Sequence, residues 1–550
     1  MNDSKILLVF PPVWSPAFVP LGIPALKAFL EKQGINVEQR DLNVGFWEQF
    51  TGDKNLECIY SNMKKYLIQK QPKKNLLKQE IIFYLYVKSV QKNSFEEFKE
   101  KVLTKKINQT DFMQLCRKFS SYYTEPPVEI EKSSLVYHDR LFRGISESYY
   151  SLSSSKLVEH CKSKSNKFRK YFRELINHDL NKFDFSVIGI SVIGANQVVP
   201  AFTLASLLKE KFPETHITIG GPWCSHLYDV IPEKKEFFDL VDSIVFFEGE
   251  NALTQISKSV LENRSLDGIP NIAFRKGEKI IRNEIVCTQN LDEIPTPDFN
   301  GLLLEKYQYG SILPLQTSRG CFWGKCIFCS YPFLEPNYKE RKIELVVDDI
   351  KKLKEKYKVN RVSFVDSSVK ISRLEELAKV LIESKIDVKY SCLVRFDKRI
   401  IPLLGLLKQS GCLQLVFGLE SASPRMLKLI NKGINLEDAK KILKETKKVG
   451  IKNQICLMYD LPTETIDDTA KTLDFLRENI ETIDSFIYSK FGPEKHTLVE
   501  QQQEQLGIKF EKNPEFDLDL GYVFKSDTMT KKELERIEKE FYELLLWCKK

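Results

Sequence analysis

Cys321, Cys326 and Cys329 stand within nine residues of one another in the stretch TSRGCFWGKCIFCS (317–330). No fourth cysteine or histidine is close by, and Cys287 and Cys392 fall on other expected elements. Clustered thiolates are soft ligands, suited to zinc or to an iron–sulfur cluster. Structural zinc is closed by four ligands, and none of the six histidines opens the His-x-Glu pattern of a deaminase-type zinc site. An open iron–sulfur site accounts better for the number of thiols. Three thiolates can hold three irons of a 4Fe–4S cluster and leave the fourth iron to a small molecule. Zinc and a set of merely buried thiols remain the alternatives.

Six apolar stretches follow from this point: 312–317, 361–366, 388–394, 413–419, 453–459 and 484–490. Between them lie helical patterns near 343–357, 372–385, 398–410, 436–449 and 466–480. Consecutive βα units of this kind predict an open or partial (β/α)6 barrel over 306–495, with its chemistry gathered at the strand C-termini. The cysteines lie on that rim. The final segment, 496–550, ends in an amphipathic helix expected to pack on the barrel.

The N-terminal part has the same rhythm. KILLVF (5–10), INVEQRDL (35–42), FSVIGISVI (185–193), HITIGG (216–221) and SIVFFEGE (243–250) read as strands, with helices over 23–33, 197–210 and 251–262. The pattern predicts a doubly wound, Rossmann-like α/β domain from 1–48 and 181–275. The proline-spaced stretch 276–305 reads as a linker. Residues 49–180 are too long for a βα connection and read as a basic, mostly helical insertion.

The net charge of +8 is concentrated in that insertion. Residues 51–180 hold 25 Lys/Arg against 15 Asp/Glu, leaving the rest of the chain slightly acidic. CKSKSNKFRKYFR (161–173) could meet nucleic acid, an acidic peptide or a phosphorylated substrate, although a solvated helical face is the commoner meaning. No RNA-binding module accompanies it, which argues against nucleic acid. No apolar run approaches the ~18–20 residues of a membrane span, and no signal-peptide layout opens the chain. The expected location is the cytoplasm, where cysteines stay reduced.

The cysteine loop resembles that of radical S-adenosylmethionine (radical SAM) enzymes, usually Cys-x3-Cys-x2-Cys with an aromatic before the last cysteine. This chain has one residue more between the first two cysteines, as Phe322, Trp323, Gly324 and Lys325. VSFVDSS (362–368), LVRFD (393–397), FGLESAS (417–423) and FGPEKHTL (491–498) resemble the later strand ends. MYDLPTET (458–465) resembles the family's Gly-x-Pro-Gly-Glu-Thr turn, with Asp460 and Thr463 in place of the glycines. The resemblance implies a 4Fe–4S cluster on Cys321, Cys326 and Cys329, and S-adenosylmethionine contacts from Phe328, Asp366, Arg395 and Glu420. Arg395 would clamp the carboxylate, and Glu420 would accept from the ribose or amino group.

The N-terminal strands and their GGP and EGE turns resemble the cobalamin-binding domain of one radical SAM branch. By that resemblance Ser191, Gly220, Gly221, Glu248, Gly249 and Glu250 lie near cobalamin. The Asp-x-His-x-x-Gly signature that gives cobalt a histidine is absent from the chain. The implied activity is cobalamin-dependent methylation of an unactivated carbon or phosphorus centre in a natural product, peptide or lipid. It would run through a 5′-deoxyadenosyl radical and methylcobalamin, with an external electron donor such as flavodoxin or ferredoxin. Alternatives are a cyclase or rearrangement enzyme with the same cofactors, and a non-catalytic redox sensor. A sensor has no use for Arg395 and Glu420.

Overall fold

A computed structural model describes residues 5–15, 17–50, 146–180, 184–307, 309–525 and 527–547. Most of the expected insertion, 51–145, lies outside the described residues.

Strand β1 (Lys5–Phe10) is buried along all but its first residue, as a strand covered on both faces must be. It lies between β2 (Val37–Asp41) and β3 (Phe185–Ser191) in a parallel set continued by β4 (His216–Gly220) and β5 (Ser243–Val245), in the order β2-β1-β3-β4-β5. An antiparallel hairpin of β6 (Ile272–Lys276) and β7 (Lys279–Arg282) extends this sheet at the β5 edge. Sequence alternation did not separate the hairpin from its surroundings, and the boundary expected at 275 falls inside it. The strand expected over 243–250 stops at Val245, because Phe247 turns left-handed (φ 53°) and a helix starts at Gly249.

The second sheet contains β8 (Ile312–Leu315), β11 (Arg361–Phe364), β12 (Lys389–Val394), β13 (Cys412–Glu420), β14 (Lys452–Tyr459) and β15 (Ser485–Lys490). Its six strands are parallel and neighbour one another in chain order, which is the expected partial barrel. A small antiparallel ribbon, β9 (Ser318–Arg319) with β10 (Lys339–Glu340), flanks the cysteine loop. Along β14, Asn453, Ile455, Leu457 and Tyr459 are buried, while Gln454, Cys456 and Met458 take the opposite, less buried face. The helix expected over 398–410 begins as a 3-10 turn (Lys398–Leu403), with Pro402 inside it, before the α-helical Leu404–Gln409.

The expected linker is firmly built into the seam between the sheets. Asp298 binds Lys27 at 2.5 Å and Lys356 at 2.8 Å, and accepts from the Tyr357 hydroxyl at 2.6 Å. Phe299 and Leu302 are buried in a core shared by both sheets. The helix Lys531–Trp547 packs on β15 through Phe541, whose ring stacks on Tyr488 at 5.1 Å. In the basic run, Phe168 and Phe172 are buried and Arg169 pairs with Glu210 at 2.8 Å. Its lysines face outward, so this run is a solvated helix face whose aromatics hold it to the core. Among the described residues, no helix is long and apolar enough to cross a membrane.

Candidate cluster and cofactor site

The cysteine loop leaves β9 at the C-terminal rim of the barrel. Gly320 opens it with φ 79°, and a Cβ there would lie 2.9 Å from the Glu335 carbonyl oxygen. The loop is fixed from both sides: the Ile327 amide donates to the Ile430 carbonyl (3.2 Å), and the Ile327 carbonyl accepts from the Val499 amide (2.8 Å). Ile327 is itself buried against Phe491, Val499, Phe510 and Phe524. The C-terminal region is therefore part of the loop's seat. Gly324 is left-handed (φ 59°) and closes the extra turn that four residues between Cys321 and Cys326 require. That turn carries Trp323 outward, where its indole donates to the Asn431 carbonyl at 2.9 Å.

The three thiols are partly exposed, and Cys321 is close enough to raise the proton affinity of Cys326, as both are to raise that of Cys329. Burial pushes Cys329 up to about 12. Burial also raises Cys326, against the pull of the Lys432 and Arg395 cations. Metal binding to thiols of this kind releases their protons. Among the described residues no three His, Cys, Asp or Glu side chains converge on a single ion, as a closed zinc site would need. Thiolates that each take a different iron of a cluster do not share one centre in that way. The donor set therefore fits a three-thiolate cluster loop.

Three of the four expected S-adenosylmethionine contacts come together beside the loop, around a lysine that sequence reasoning missed. Lys432 Nζ lies 2.8 Å from Glu420 Oε1 and 5.9 Å from the centre of the Phe328 ring. Arg395 stacks its guanidinium on Trp323 at 4.2 Å and donates to the Lys432 carbonyl. Glycines make the room. A Cβ on Gly433 (φ 65°) would lie 2.6 Å from the Trp323 ring, and one on Gly418 would lie 2.7 Å from Glu420 Oε1. Glu420 ends β13 in the left-handed region (φ 67°), after a register shift between Gly418 and Glu420. The only sequence signal for Lys432 is the NKG of a tight turn, which reads as turn chemistry.

Asp366 has a different place. Its buried carboxylate accepts from the Thr317 amide and hydroxyl (3.1 and 2.8 Å) and from the Ser318 hydroxyl (2.6 Å). It fixes the strand end that leads into the cysteine loop.

Four of the six expected cobalamin contacts, Gly220, Gly221, Glu248 and Glu250, also have structural roles. A Cβ on Gly221 (φ 115°) would collide with the Val192 carbonyl, and one on Gly220 would press on Val245 at 3.1 Å. Glu248 and Glu250 flank the start of the helix Gly249–Leu261 and point across the seam. Glu250 binds Arg319, and Glu248 binds Lys339. Burial alone would raise the Glu250 carboxyl, but the Arg319 guanidinium outweighs it and holds the group below its ordinary range. Ser191 ends β3, with its hydroxyl 3.6 Å from where a Gly22 Cβ would stand.

In a sheet ordered 2-1-3-4-5, ligands bind at the switch point between the first and third strands. Here the loops after β1 and β3 meet there: Gln197 Nε2 donates to the Pro11 carbonyl at 2.8 Å, and Trp14 lies against Gly194. Trp14, Gly22 and Gly194 thus join Ser191 around the switch point.

Residues 315–476 match the sequence profile of the Radical SAM superfamily, and they contain the cysteine loop and the four barrel strands β11 to β14. The whole fold is similar to that of two solved cobalamin-binding radical SAM enzymes. The methyltransferase TsrM from Kitasatospora setae, solved with cobalamin and a 4Fe–4S cluster, superposes with a TM-score of 0.61 over 98% of this chain and 90% of its own, at 14% identity. OxsB, solved with aqua-cobalamin and S-adenosylmethionine, gives 0.61 over 98% of this chain and 66% of its own, at 17% identity. In sequence, the chain is 26% identical to an uncharacterized methyltransferase of Pyrococcus horikoshii, over 54% of this chain and 65% of that protein. It is 25% identical to the cytidylyl-2-hydroxyethylphosphonate methyltransferase of Streptomyces wedmorensis, over 54% of this chain and 63% of that one. The chain thus spans less than two thirds of the length of these curated relatives.

Proposed function

We propose that this protein is a cobalamin-dependent radical SAM methyltransferase acting on an unactivated carbon or phosphorus centre of a small molecule or peptide. One observation carries the reading: the three-cysteine loop, Lys432, Arg395 and Glu420 share one rim of the barrel. The switch point of a 2-1-3-4-5 sheet supports a corrinoid site in the same molecule. When bound, a 4Fe–4S cluster, S-adenosylmethionine and cobalamin supply the one-electron and methyl-carrier chemistry.

The protein's part is binding, orientation and exclusion of water. Cys321, Cys326 and Cys329 hold the cluster. The guanidinium of Arg395 and the ammonium of Lys432 offer two cations to the carboxylate of S-adenosylmethionine. Glu420 accepts from its amino group or ribose, and the Phe328 ring borders the adenine. The lumen row of Ser363, Ser391, Gln414 and Gln454 is uncharged, and its members bond in pairs (Gln414 to Gln454 at 2.9 Å, Ser391 to Ser363 at 3.4 Å). Gln414 and Gln454 stand third on β13 and β14, toward the end of the barrel away from Glu420, where such pairing supports the barrel. Electrons would come from a small donor protein of the flavodoxin or ferredoxin kind.

The test is anaerobic cluster reconstitution, followed by incubation with S-adenosylmethionine, a reductant and methylcobalamin. Formation of 5′-deoxyadenosine and S-adenosylhomocysteine supports the reading. An intact cluster that yields neither product contradicts it.

A further inference from the structure

We propose that Arg319 is a positioning residue that makes the order of the cysteine loop depend on the N-terminal domain. It stands on β9, two residues before Cys321. Its Nη2 donates to Glu250 Oε1, its Nη1 lies 3.7 Å from Glu248 Oε1, and its Nε donates to Gln316 Oε1 at 3.2 Å. The partner strand is gripped as well: Lys339 on β10, directly opposite Arg319 in the ribbon, binds Glu248. Glu248 is in turn held by the Gln289 amide at 2.8 Å. Two carboxylates on one helix start therefore clasp both strands of the ribbon from which the loop departs.

The ribbon itself has only two residue pairs, too few to fix a loop by backbone bonding alone. The clasp is shielded from water, with the Arg319 and Glu250 side chains 15% and 6% exposed. Removing one partner of such a pair leaves the other buried and uncompensated, which is the costly way to break it. The far end of the loop reaches the same domain without a buried ion pair: Phe333, on the helix that follows it, packs on Tyr228 and Phe247 at 5.4 and 5.5 Å. Ser330 donates to Glu494 at 2.5 Å, and Glu494 lies 3.9 Å from His226. The buried ionic hold on the loop from the N-terminal domain is thus Arg319, and through it Glu250 sets where the thiolates stand relative to that domain.

This inference rests on reading Cys321–Cys329 as a cluster loop, and the test separates the two. The full chain is prepared as wild type, Glu250→Gln, Arg319→Met and Arg319→Lys. Each is measured by peptide-resolved hydrogen exchange without metal, and by iron content and electron paramagnetic resonance after reconstitution with iron and sulfide. Glu250→Gln, a change in the other domain, should speed exchange across 318–330 by about tenfold, the response to ~1.4 kcal/mol of local opening. It should leave exchange in β14 unchanged and shift the resonance of the reduced cluster. Arg319→Lys, which keeps the charge and loses the fork, should fall between wild type and Arg319→Met. The clasp is overturned if Glu250→Gln and Arg319→Met exchange at the wild-type rate across 318–330, or if exchange rises equally through the whole N-terminal domain. A wild-type chain that takes up no iron would overturn the cluster reading instead, while the exchange comparison without metal would still decide the clasp.

Discussion

Replacing Lys432 by methionine should be one of the more damaging single changes at the rim, and replacing Glu420 as well should undo most of the harm. The two side chains meet at 2.8 Å and are 9% and 11% exposed. At about 3 Å and an effective dielectric of about 20, Coulomb's law gives a gross attraction of roughly 5–6 kcal/mol. Desolvation of both ions offsets much of that, so the intact pair contributes little net stability. Lys432→Met leaves Glu420 charged and unpaired in a site that excludes water, at a cost of roughly 3–5 kcal/mol. The double variant with Glu420→Gln removes both charges and should return to within about 1–2 kcal/mol of wild type. Hydrogen exchange of the peptides covering β13 and 427–434 measures this locally and avoids a two-state assumption for a multi-domain chain. A loss of 3 kcal/mol appears as roughly 100-fold faster exchange. The reasoning fails if Lys432→Met exchanges within a few-fold of wild type, or if the double variant is no better than the single.

Three further outcomes follow from the same structure. Gly433→Ala would force a methyl group to 2.6 Å from the Trp323 ring at a backbone φ of 65°, so it should cost about 2–4 kcal/mol and shift Trp323 fluorescence as the indole leaves Arg395; an unchanged spectrum would contradict the packing. Burial, partly opposed by bonds from the Leu461 amide and the Thr469 hydroxyl, pushes Glu464 from 4.5 up to about 7. The folded state then binds that proton more tightly, so this group's contribution to stability is fully present below pH 4.5 and is lost, by about 3 kcal/mol, as pH rises through 7. Glu464→Gln should lessen the fall of the thermal midpoint between pH 5 and 8, leaving the part that Asp41 and Asp349, raised to about 6, still contribute, and a parallel fall in wild type and variant would refute the assignment. Gly221→Ala should disrupt the N-terminal sheet by colliding with the Val192 carbonyl, whereas Gly34→Ala, left-handed but with nothing within 4 Å, should cost only about 1 kcal/mol. Equal thermal shifts for the two would contradict the close approach.

The barrel was highly legible because each strand buries one face against helices, so alternation and length mark it. All six barrel strands lie where the sequence places them, within one or two residues. The β6–β7 hairpin was not legible, since its strands are short and half exposed. Asp460 and Thr463, standing where the family has glycines, are left-handed (φ 61° and 60°). Arg425 secures Thr463 through its carbonyl at 2.6 Å. Side-chain direction was harder to foresee. Asp366, Glu248 and Glu250 stand at strand or helix ends, where ligand contacts gather, yet their carboxylates are taken up by Thr317, Ser318, Lys339 and Arg319. A sequence places a carboxylate on a rim without revealing which cation from another domain will meet it. Lys432 escaped notice for the same reason: its partner Glu420 is close only because the chain turns back at Gly433.

The most direct test of the central claim is electron paramagnetic resonance of the reduced, anaerobically reconstituted protein before and after S-adenosylmethionine is added. The account predicts the signal of one 4Fe–4S cluster per chain that changes shape on addition, because one iron lacks a protein thiolate, and it predicts no such cluster in Cys326→Ala. A cluster signal indifferent to S-adenosylmethionine, or one that survives intact in Cys326→Ala, would contradict it.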